Sequence, residues 1–253
     1  MDQSSDAAET GKDRTVPAFR NIARELEQQV VSGELAVGSA LPSETSLAER
    51  FKVSRSTIRE AIRLLEQIGL VRRAEGRNKL RVTRPSNKEI GERIKAAFLL
   101  QETTFEQLWE VMSAIEPMCA AVAAAKAGKA DLERIADNLA QTEAALGDFT
   151  RLVELDIEFH NLVAAATGNS ALRLSRDTVG ELFFPAFNHV ITRLNAGARL
   201  LLAHRKIFEA LQARNVEEAR TWMARHIGDF QRGCDLANLD FTAPISGPMQ
   251  ESV

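Results

Sequence analysis

The segment that most constrains this chain is residues 53–69, VSRSTIREAIRLLEQIG, because it reads as one helix with two unlike faces. One face is apolar at helical spacing and consists of Ile58, Ala61, Ile62, Leu65 and Ile68. Arg55, Arg59 and Arg63 follow one another every four residues and project from the other side. Ser54 is a favourable N-cap, since its hydroxyl can accept a hydrogen bond from an amide of the first turn. An ordinary surface helix with solvated arginines has the same pattern. The neighbouring segments are therefore needed to distinguish such a helix from one with a binding function.

A second short helix is predicted immediately before this one. Ser43 can cap a helix over residues 44–51, and only Lys52 and Val53 separate that helix from Ser54. Two short helices joined by so tight a turn predict a helix-turn-helix, in which the second helix is the recognition helix. Such a motif places the first turn of its second helix against phosphates and base edges in the major groove of double-stranded DNA.

The segments after Gly69 complete this module. Residues 70–73 and 79–82 have the composition of two short strands around residues 74–78. They predict a β-hairpin wing, with Gly76 and Arg77 in its turn, whose basic residues contact the DNA backbone or minor groove. Residues 16–84 are therefore predicted to form a winged helix-turn-helix domain.

The distribution of charge supports this division. The whole chain carries a formal net charge of −3, which by itself says nothing about nucleic acid. Residues 14–84, however, contain 14 Lys and Arg against 8 Asp and Glu, whereas residues 85–253 contain 17 against 23. A basic amino-terminal module joined to an acidic remainder indicates that only the first part meets a polyanion.

The remainder is predicted to be helical, so the fold class is mostly α. Residues 85–238 are rich in helix-forming residues and predict an all-α bundle, with residues 170–194 as one helix. Pro117 is expected to bend its helix or mark a seam. Residues 1–15 are predicted to be a disordered tail, and residues 239–253 a flexible one.

The chain is predicted to be cytoplasmic and to have no membrane partner. Its two cysteines, Cys119 and Cys234, make no disulfide framework. No signal peptide is recognised, and no apolar run is judged to approach membrane-spanning length.

The four histidines suggest a metal site. Asp156 and His160 are four residues apart, so they project from one helix face, and His204 and His226 lie on two later helices. Three imidazoles and one carboxylate suit a divalent ion, with Zn or Ni preferred. The alternative is that each histidine is simply a solvated or core residue.

Several motifs together resemble the GntR family of bacterial repressors. They are LPSE at residues 41–44, VSRSTIREA at 53–61 and GLV at 69–71. The carboxy-terminal part resembles the all-helical, FCD-type effector domain of that family's FadR branch, through DIEFH at 156–160, His204 and His226. The resemblance implies a dimeric transcription factor whose DNA affinity is set by a small metabolite, with residues 85–238 as its effector-binding and dimerisation domain. It also matches Asp156, His160, His204 and His226 to that domain's metal ligands.

The resemblance also guides the choice of DNA-binding residues. Arg55 and Arg59 are expected to reach base edges or phosphates, with Ser56, Thr57 and the wing holding the DNA backbone. Arg63 is the third arginine of the same face. Thr45 stands where family members commonly carry an arginine that helps to read DNA. Since one helix-turn-helix reads few base pairs, a homodimer on a palindromic operator is expected.

The effector is predicted to be a small carboxylate, such as a hydroxy acid or a sugar acid. A divalent ion held by one carboxylate and three neutral imidazoles keeps a charge of about +1, which favours an anionic oxygen. Asn188, Arg193 and Arg205 are the candidate contacts for the rest of the ligand. Met112 stands where relatives often have an arginine that clasps a ligand carboxylate. Binding of the effector is expected to lower the affinity for DNA.

Two other functions remain compatible with these residues. A metal-dependent enzyme could use the Asp and His set to activate water, although a basic helix-turn-helix would have no purpose there. A constitutive DNA-binding protein could use the metal only to stabilise its fold. Selective DNA binding distinguishes the enzyme from the other two functions, and a ligand-dependent change in that binding distinguishes those two from each other.

Overall fold

The computed structural model describes residues 16–73 and 79–245, which fall into two compact units. The amino-terminal unit ends at Glu89 and the carboxy-terminal unit begins at Ile90. The predicted boundary lay at Pro85. The amino-terminal unit extends further because the Glu89 carboxylate accepts hydrogen bonds from Ser86 N and Oγ, at 2.7 and 2.8 Å, and pairs with Arg72.

Three parts of the sequence predictions lie outside the described residues. They are the predicted tail at 1–15, the wing residues Gly76 and Arg77, and residues 246–253.

The amino-terminal unit consists of three helices and a hairpin. In chain order its elements are α1 Ala18–Val31, α2 Glu44–Phe51, α3 Arg55–Gln67, β1 Val71–Arg73 and β2 Leu80–Val82. The two strands pair antiparallel, with Val71 opposite Val82 and Arg73 opposite Leu80. The core buries one face of each helix together with Val71 and Val82, and includes Leu26, Leu47, Ile58 and Leu65. The predicted apolar stripe of the arginine helix is therefore the face that packs inward.

The turn between α2 and α3 has the predicted capping residues. Ser43 accepts a hydrogen bond from the amide of Ser46, and Ser54 accepts one from the amide of Thr57. Lys52 ends α2 in the left-handed conformation, with φ of 54°, which turns the chain sharply into the next helix. The predicted helix-turn-helix is confirmed.

The carboxy-terminal unit is a helical bundle, as predicted. Its elements are α4 Asn87–Leu100 (which begins at the end of the first unit), α5 Phe105–Lys126, α6 Lys129–Ala144, α7 Phe149–Ala166, α8 Ser170–Gly180, α9 Phe184–Leu194, α10 Gly197–Gln212 and α11 Val216–Leu236. Among its fully buried side chains are Ile135, Phe159, Val163, Ile207 and Met223. Helix α5 runs through Pro117 as a single helix, and this proline is itself buried.

The prediction of one helix over residues 170–194 is wrong. Helix α8 ends at Gly180, a single turn of 3-10 helix follows at Glu181–Phe183, and α9 starts at Phe184. Pro185 lies in the first turn of α9, where its missing amide is tolerated, whereas inside a continuous helix it would remove a hydrogen bond.

The prediction of a flexible tail from residue 239 is also wrong for residues 239–245. Leu239 and Phe241 are buried, and the ring of Phe241 packs on Trp109 and Phe230. The amide of Ile245 donates to Thr103 O at 2.9 Å. This segment therefore belongs to the core of the carboxy-terminal unit.

Helix α5 is more apolar than the sequence prediction allowed. It is 22 residues long, and an 18-residue window within it reaches a mean hydropathy of 1.3, which is sufficient for a membrane span by length and composition. Half of that window is buried inside the protein. Half of this apolar window therefore packs against other helices of the unit.

We expect Phe241→Ala to lower the free energy of unfolding by about 3 kcal/mol, because it leaves a cavity between Trp109 and Phe230. Chemical denaturation followed by circular dichroism measures this loss. Leu202→Ala is the matched control, since 55% of Leu202 is exposed. Equal losses in the two variants would show that residues 239–245 do not stabilise the unit.

Candidate metal site and DNA-contacting helix

The predicted DNA-reading arginines lie on the exposed face of α3. Their side chains are 60%, 55% and 67% exposed for Arg55, Arg59 and Arg63. Nε of Arg59 donates to Oε2 of Glu44 at 2.8 Å, and Nη2 of Arg55 lies 3.8 Å from the same oxygen. Glu44 is the first residue of α2, so its carboxylate connects the two helices of the motif at the surface.

The other predicted DNA-binding residues lie around the same end of α3. Thr45 and Ser56 are exposed and Thr57 is half-buried. The hydroxyl of Ser54 lies 2.7 Å from that of Ser56 and 2.9 Å from that of Thr57. These hydroxyls therefore form one polar surface at the start of α3, beside Arg55.

The four predicted metal ligands come together inside the carboxy-terminal unit. Helix α7 supplies Asp156 and His160, α10 supplies His204 and α11 supplies His226. Their ligand atoms all lie within 4.8 Å of one another. Asp156, His160 and His204 are almost fully buried, whereas 11% of the His226 side chain is exposed. His226 is therefore the member of this cluster with most access to solvent.

The distances within the cluster suit a single ion. Nε2 of His226 lies 3.1 Å from Nε2 of His160 and 3.2 Å from Nε2 of His204. Oδ1 of Asp156 lies 3.2, 3.7 and 4.0 Å from Nε2 of His204, His226 and His160, respectively. Ligands at about 2.0–2.1 Å from a tetrahedral zinc ion are about 3.4 Å apart, which is the same range.

The hydrogen bonding of these groups also fits a cation. Neither carboxylate oxygen of Asp156 makes a hydrogen bond of regular geometry within the described residues, although both are buried. A buried carboxylate without partners is costly, and so is the approach of imidazole nitrogens with their lone pairs toward one point. A divalent ion at that point would satisfy the carboxylate and the three nitrogens together.

Burial determines the protonation of His204. It lowers the pKa of His204 to about 3, although the attraction of Asp156 partly opposes this effect. At neutral pH the ring is therefore uncharged, and Nε2 can offer a lone pair. Burial alone would raise the pKa of Asp156, but its interactions with His204, His226 and His160 hold that pKa well below its usual range.

Sequence reasoning missed the groups that hold His160. Nδ1 of His160 lies 2.9 Å from Oε2 of Glu116 on α5, and neither atom has a hydrogen bond of regular geometry within the described residues. The other oxygen of Glu116 accepts a hydrogen bond from Nε of Arg176 at 2.7 Å, and Arg176 also bonds Asn161. Glu116 and Arg176 are both buried, at 0% and 1% exposure.

The environment of Glu116 keeps it ionised. Burial raises the pKa of Glu116, but the interactions with His160 and Arg176 outweigh this effect and bring that pKa to about 2. A carboxylate at Nδ1 favours the tautomer of His160 that has its proton there, which leaves Nε2 free to bind a metal. The absent side chain of Gly180 makes room for Arg176, since a Cβ there would lie 2.9 Å from the guanidinium carbon.

A cavity of about 460 Å³ opens onto the cluster. Asp156 and His226 form part of its lining, and α9, α10 and α11 supply most of the rest. Its apolar lining includes Phe187, Val190, Ile191, Leu194, Leu200 and Phe230. A concave, mostly apolar site with a few polar groups is the usual form of a small-molecule site.

The four predicted effector contacts are not among the residues that line this cavity. Met112 is buried in a separate part of the core, with Phe105 and Phe183. Arg205 is exposed and pairs with Glu143 at 2.7 Å. Arg193 is exposed and Asn188 is half-buried. The arginines that do line the cavity are Arg199 and Arg232.

Comparison with known proteins assigns both units. Residues 19–78 match the model of bacterial regulatory proteins of the gntR family, and residues 107–229 match the FCD domain. The HTH-type transcriptional regulator LutR of Bacillus subtilis is 32% identical over 203 residues, covering 78% of this chain and 92% of LutR. The Glc operon transcriptional activator of Escherichia coli is 26% identical over 225 residues, covering 85% and 88% of the two chains.

A solved structure supports the same assignment. The GntR protein of Streptococcus agalactiae has a TM-score of 0.62 and 27% sequence identity, over 85% of this chain and 99% of that one. The matched relatives are transcription regulators rather than enzymes, which excludes the alternative of a metal-dependent hydrolase. This chain therefore belongs to the GntR family of bacterial regulatory proteins and is a DNA-binding transcriptional regulator with an FCD domain.

Proposed function

We propose that this regulator is a cytoplasmic, dimeric repressor whose affinity for a palindromic operator falls when a small carboxylate binds beside a metal ion in the FCD domain. The observation that carries the proposal is the buried convergence of Asp156 with three imidazole nitrogens at the end of a cavity. DNA binding follows from the family, whereas the repressor role, the dimer and the effector are our proposals.

The metal site is proposed to consist of Asp156, His160, His204 and His226. Zn and Ni suit three imidazoles and one carboxylate. A divalent ion held by these residues supplies a local positive charge that attracts an anionic oxygen. His226 is the ligand that is partly exposed and lines the cavity, so an acid bound there lies next to the cluster.

The cavity also favours a regulatory metal over a purely structural one. A metal that only stabilises the fold is enclosed by its protein ligands and has no use for an adjoining cavity. Here two of the four ligands, Asp156 and His226, face a cavity large enough for an organic acid. We therefore favour a metabolite-responsive regulator over a constitutive DNA-binding protein.

We expect a His204→Ala, His226→Ala double variant to lose stoichiometric metal and its response to organic acids, because half of the ligands are gone. Elemental analysis of protein purified without chelator or nickel resin measures the metal, and gel shifts with a panel of small acids measure the response. The wild type, carrying its metal, is the reference in both assays. Full metal retention by the variant would disprove the metal site, and an unchanged acid response would disprove the effector mechanism.

We expect Glu116→Gln to weaken metal affinity by about 10- to 100-fold, since His160 loses the carboxylate that fixes its tautomer and ring orientation. Competition with a chromogenic chelator measures this affinity. Glu143→Gln is the matched control, because Glu143 is exposed and pairs with Arg205 away from the cluster. Equal affinities in the two variants, with wild-type helicity, would show that Glu116 does not position His160.

The DNA interface is proposed to centre on the start of α3. Arg55 and Arg59 reach base edges or phosphates, Arg63 lies further along the same face, and Ser56 and Thr57 contact the DNA backbone. Glu44 supports this role, since one carboxylate contacts both Arg55 and Arg59 and restricts where their guanidinium groups lie. Thr45, Gly76 and Arg77 are proposed as further backbone contacts.

We expect Arg59→Ala to weaken specific operator binding by about tenfold or more and to relax one operator position in each half-site. Footprinting and binding assays on a palindromic site measure both effects. Arg50→Ala is the matched control, because it removes the same charge from α2, where Arg50 pairs with Glu25 at 3.1 Å. Unchanged affinity and selectivity in Arg59→Ala would remove α3 from its proposed role.

A further inference from the structure

The lining of the cavity contains information about the chemical class of the effector. Its walls between α9, α10 and α11 consist mainly of aliphatic side chains and of the rings of Phe187 and Phe230, whose centroids are 4.3 Å apart. Among the described residues of the lining, polar side chains belong to Asp156 and His226 of the cluster, and to Asn195, Arg199, Asp229 and Arg232. The wall formed by the other lining residues therefore offers an apolar surface and few hydrogen-bond partners.

The charged side chains of Arg199, Asp229 and Arg232 already form ion pairs with one another. Arg199 Nη2 lies 2.9 Å from Asp229 Oδ2, and Arg232 pairs with the other oxygen of the same carboxylate. The two arginine side chains are 66% and 63% exposed, whereas that of Asp229 is 25% exposed. Asp229 follows His226 by one turn of α11, so these three residues form a more exposed polar group beside the buried cluster.

We infer that the effector is a monocarboxylate with an aromatic or branched apolar body, and not a polyhydroxylated sugar acid or a short hydroxy acid. This inference rests on the proposed metal-bound effector site, and it narrows the predicted class of carboxylates. The carboxylate lies at the end formed by Asp156 and His226, and the apolar body lies against Val190, Ile191 and Phe230.

Two physical arguments support this class of ligand. Hydroxyl groups buried against the apolar wall would lose their hydrogen bonds to water and find few replacements, which weakens binding by roughly tenfold or more for each group. The cavity of about 460 Å³ is much larger than a three-carbon acid, so such an acid would leave much of the apolar wall in contact with water.

The reverse orientation of such an acid is unfavourable. It would bring the apolar body against the carboxylate of Asp156 and against His226, which are the most buried polar side chains of the lining. The carboxylate would then have to compete with Asp229 for arginines that are already paired. Binding of the acid should therefore depend on the metal.

The test is calorimetric titration of the full-length, zinc-loaded protein with 3-phenylpropanoate, gluconate and the neutral 3-phenylpropan-1-ol. We expect 3-phenylpropanoate to bind at least tenfold more tightly than either of the other two, and to lose that advantage over the alcohol in metal-free protein. The negative heat-capacity change that accompanies burial of apolar surface should also be present. Tighter binding of gluconate would overturn the inference and leave the proposed function intact.

A conservative variant tests the position of the apolar body. Val190→Thr keeps the shape of a wall residue that is 5% exposed but adds a hydroxyl, so it should weaken binding of 3-phenylpropanoate about three- to tenfold without changing the zinc content. Val111→Thr, at a residue that is 40% exposed on α5, is the control and should have no effect. Equal affinities for the two variants would contradict the placement.

DNA binding distinguishes this inference from the proposed function. If 3-phenylpropanoate binds to the zinc-loaded protein but leaves operator affinity unchanged in gel shifts, the inference stands and the proposed regulation fails. If short hydroxy acids bind and release DNA while 3-phenylpropanoate does neither, the inference fails and the proposed regulation stands. If no acid binds to the zinc-loaded protein, both fail.

Discussion

The main electrostatic constraint on the carboxy-terminal unit is a buried carboxylate that is surrounded by three histidines. Asp156 has neither solvent nor regular hydrogen bonds within the described residues to compensate for its burial. An isolated buried charge would be strongly destabilising, so the arrangement is only favourable with a counter-charge. The three imidazoles come from α7, α10 and α11, and a cation between them would tie these helices together as well as neutralise the carboxylate.

The surrounding contacts hold this arrangement in place. His160 contacts Glu116 on α5, and Glu116 in turn is held by Arg176 on α8. The ring of His204 stacks on Phe159, with centroids 3.7 Å apart. Glu116 and Arg176 connect the cluster to α5 and α8, which carry none of its four members, so affinity for a metal there would also depend on these two helices. The chain thus joins this cluster to a basic helix-turn-helix.

Much of this organisation could be predicted from the sequence, because it depends on short-range spacing. The helical repeat of apolar residues and the cap Ser54 defined α3, and the four-residue separation placed Asp156 and His160 on one face. Glu116 and Arg176 were not predicted as partners, since they are 60 residues apart and their pairing depends on how α5 and α8 pack. The break at Glu181–Phe183 depends on Pro185, which is the one residue of an otherwise helix-compatible run that favours a new helix start. The core position of Phe241 depends on Trp109 and Phe230, which lie on other helices, and the prolines of the segment indicate a tail instead.

The position of His226 has a consequence for how metal supply and metabolite sensing are related. The same side chain is a member of the cluster and part of the cavity wall, so an occupant of the cavity and an ion in the cluster act on one imidazole. Binding free energies linked in this way are reciprocal, so an effector that binds better with the metal in place must also retain the metal more firmly. Under the proposed regulation, a cell short of that metal would keep the protein on its operator even when the metabolite is abundant, and the regulated genes would respond to two nutrients at once.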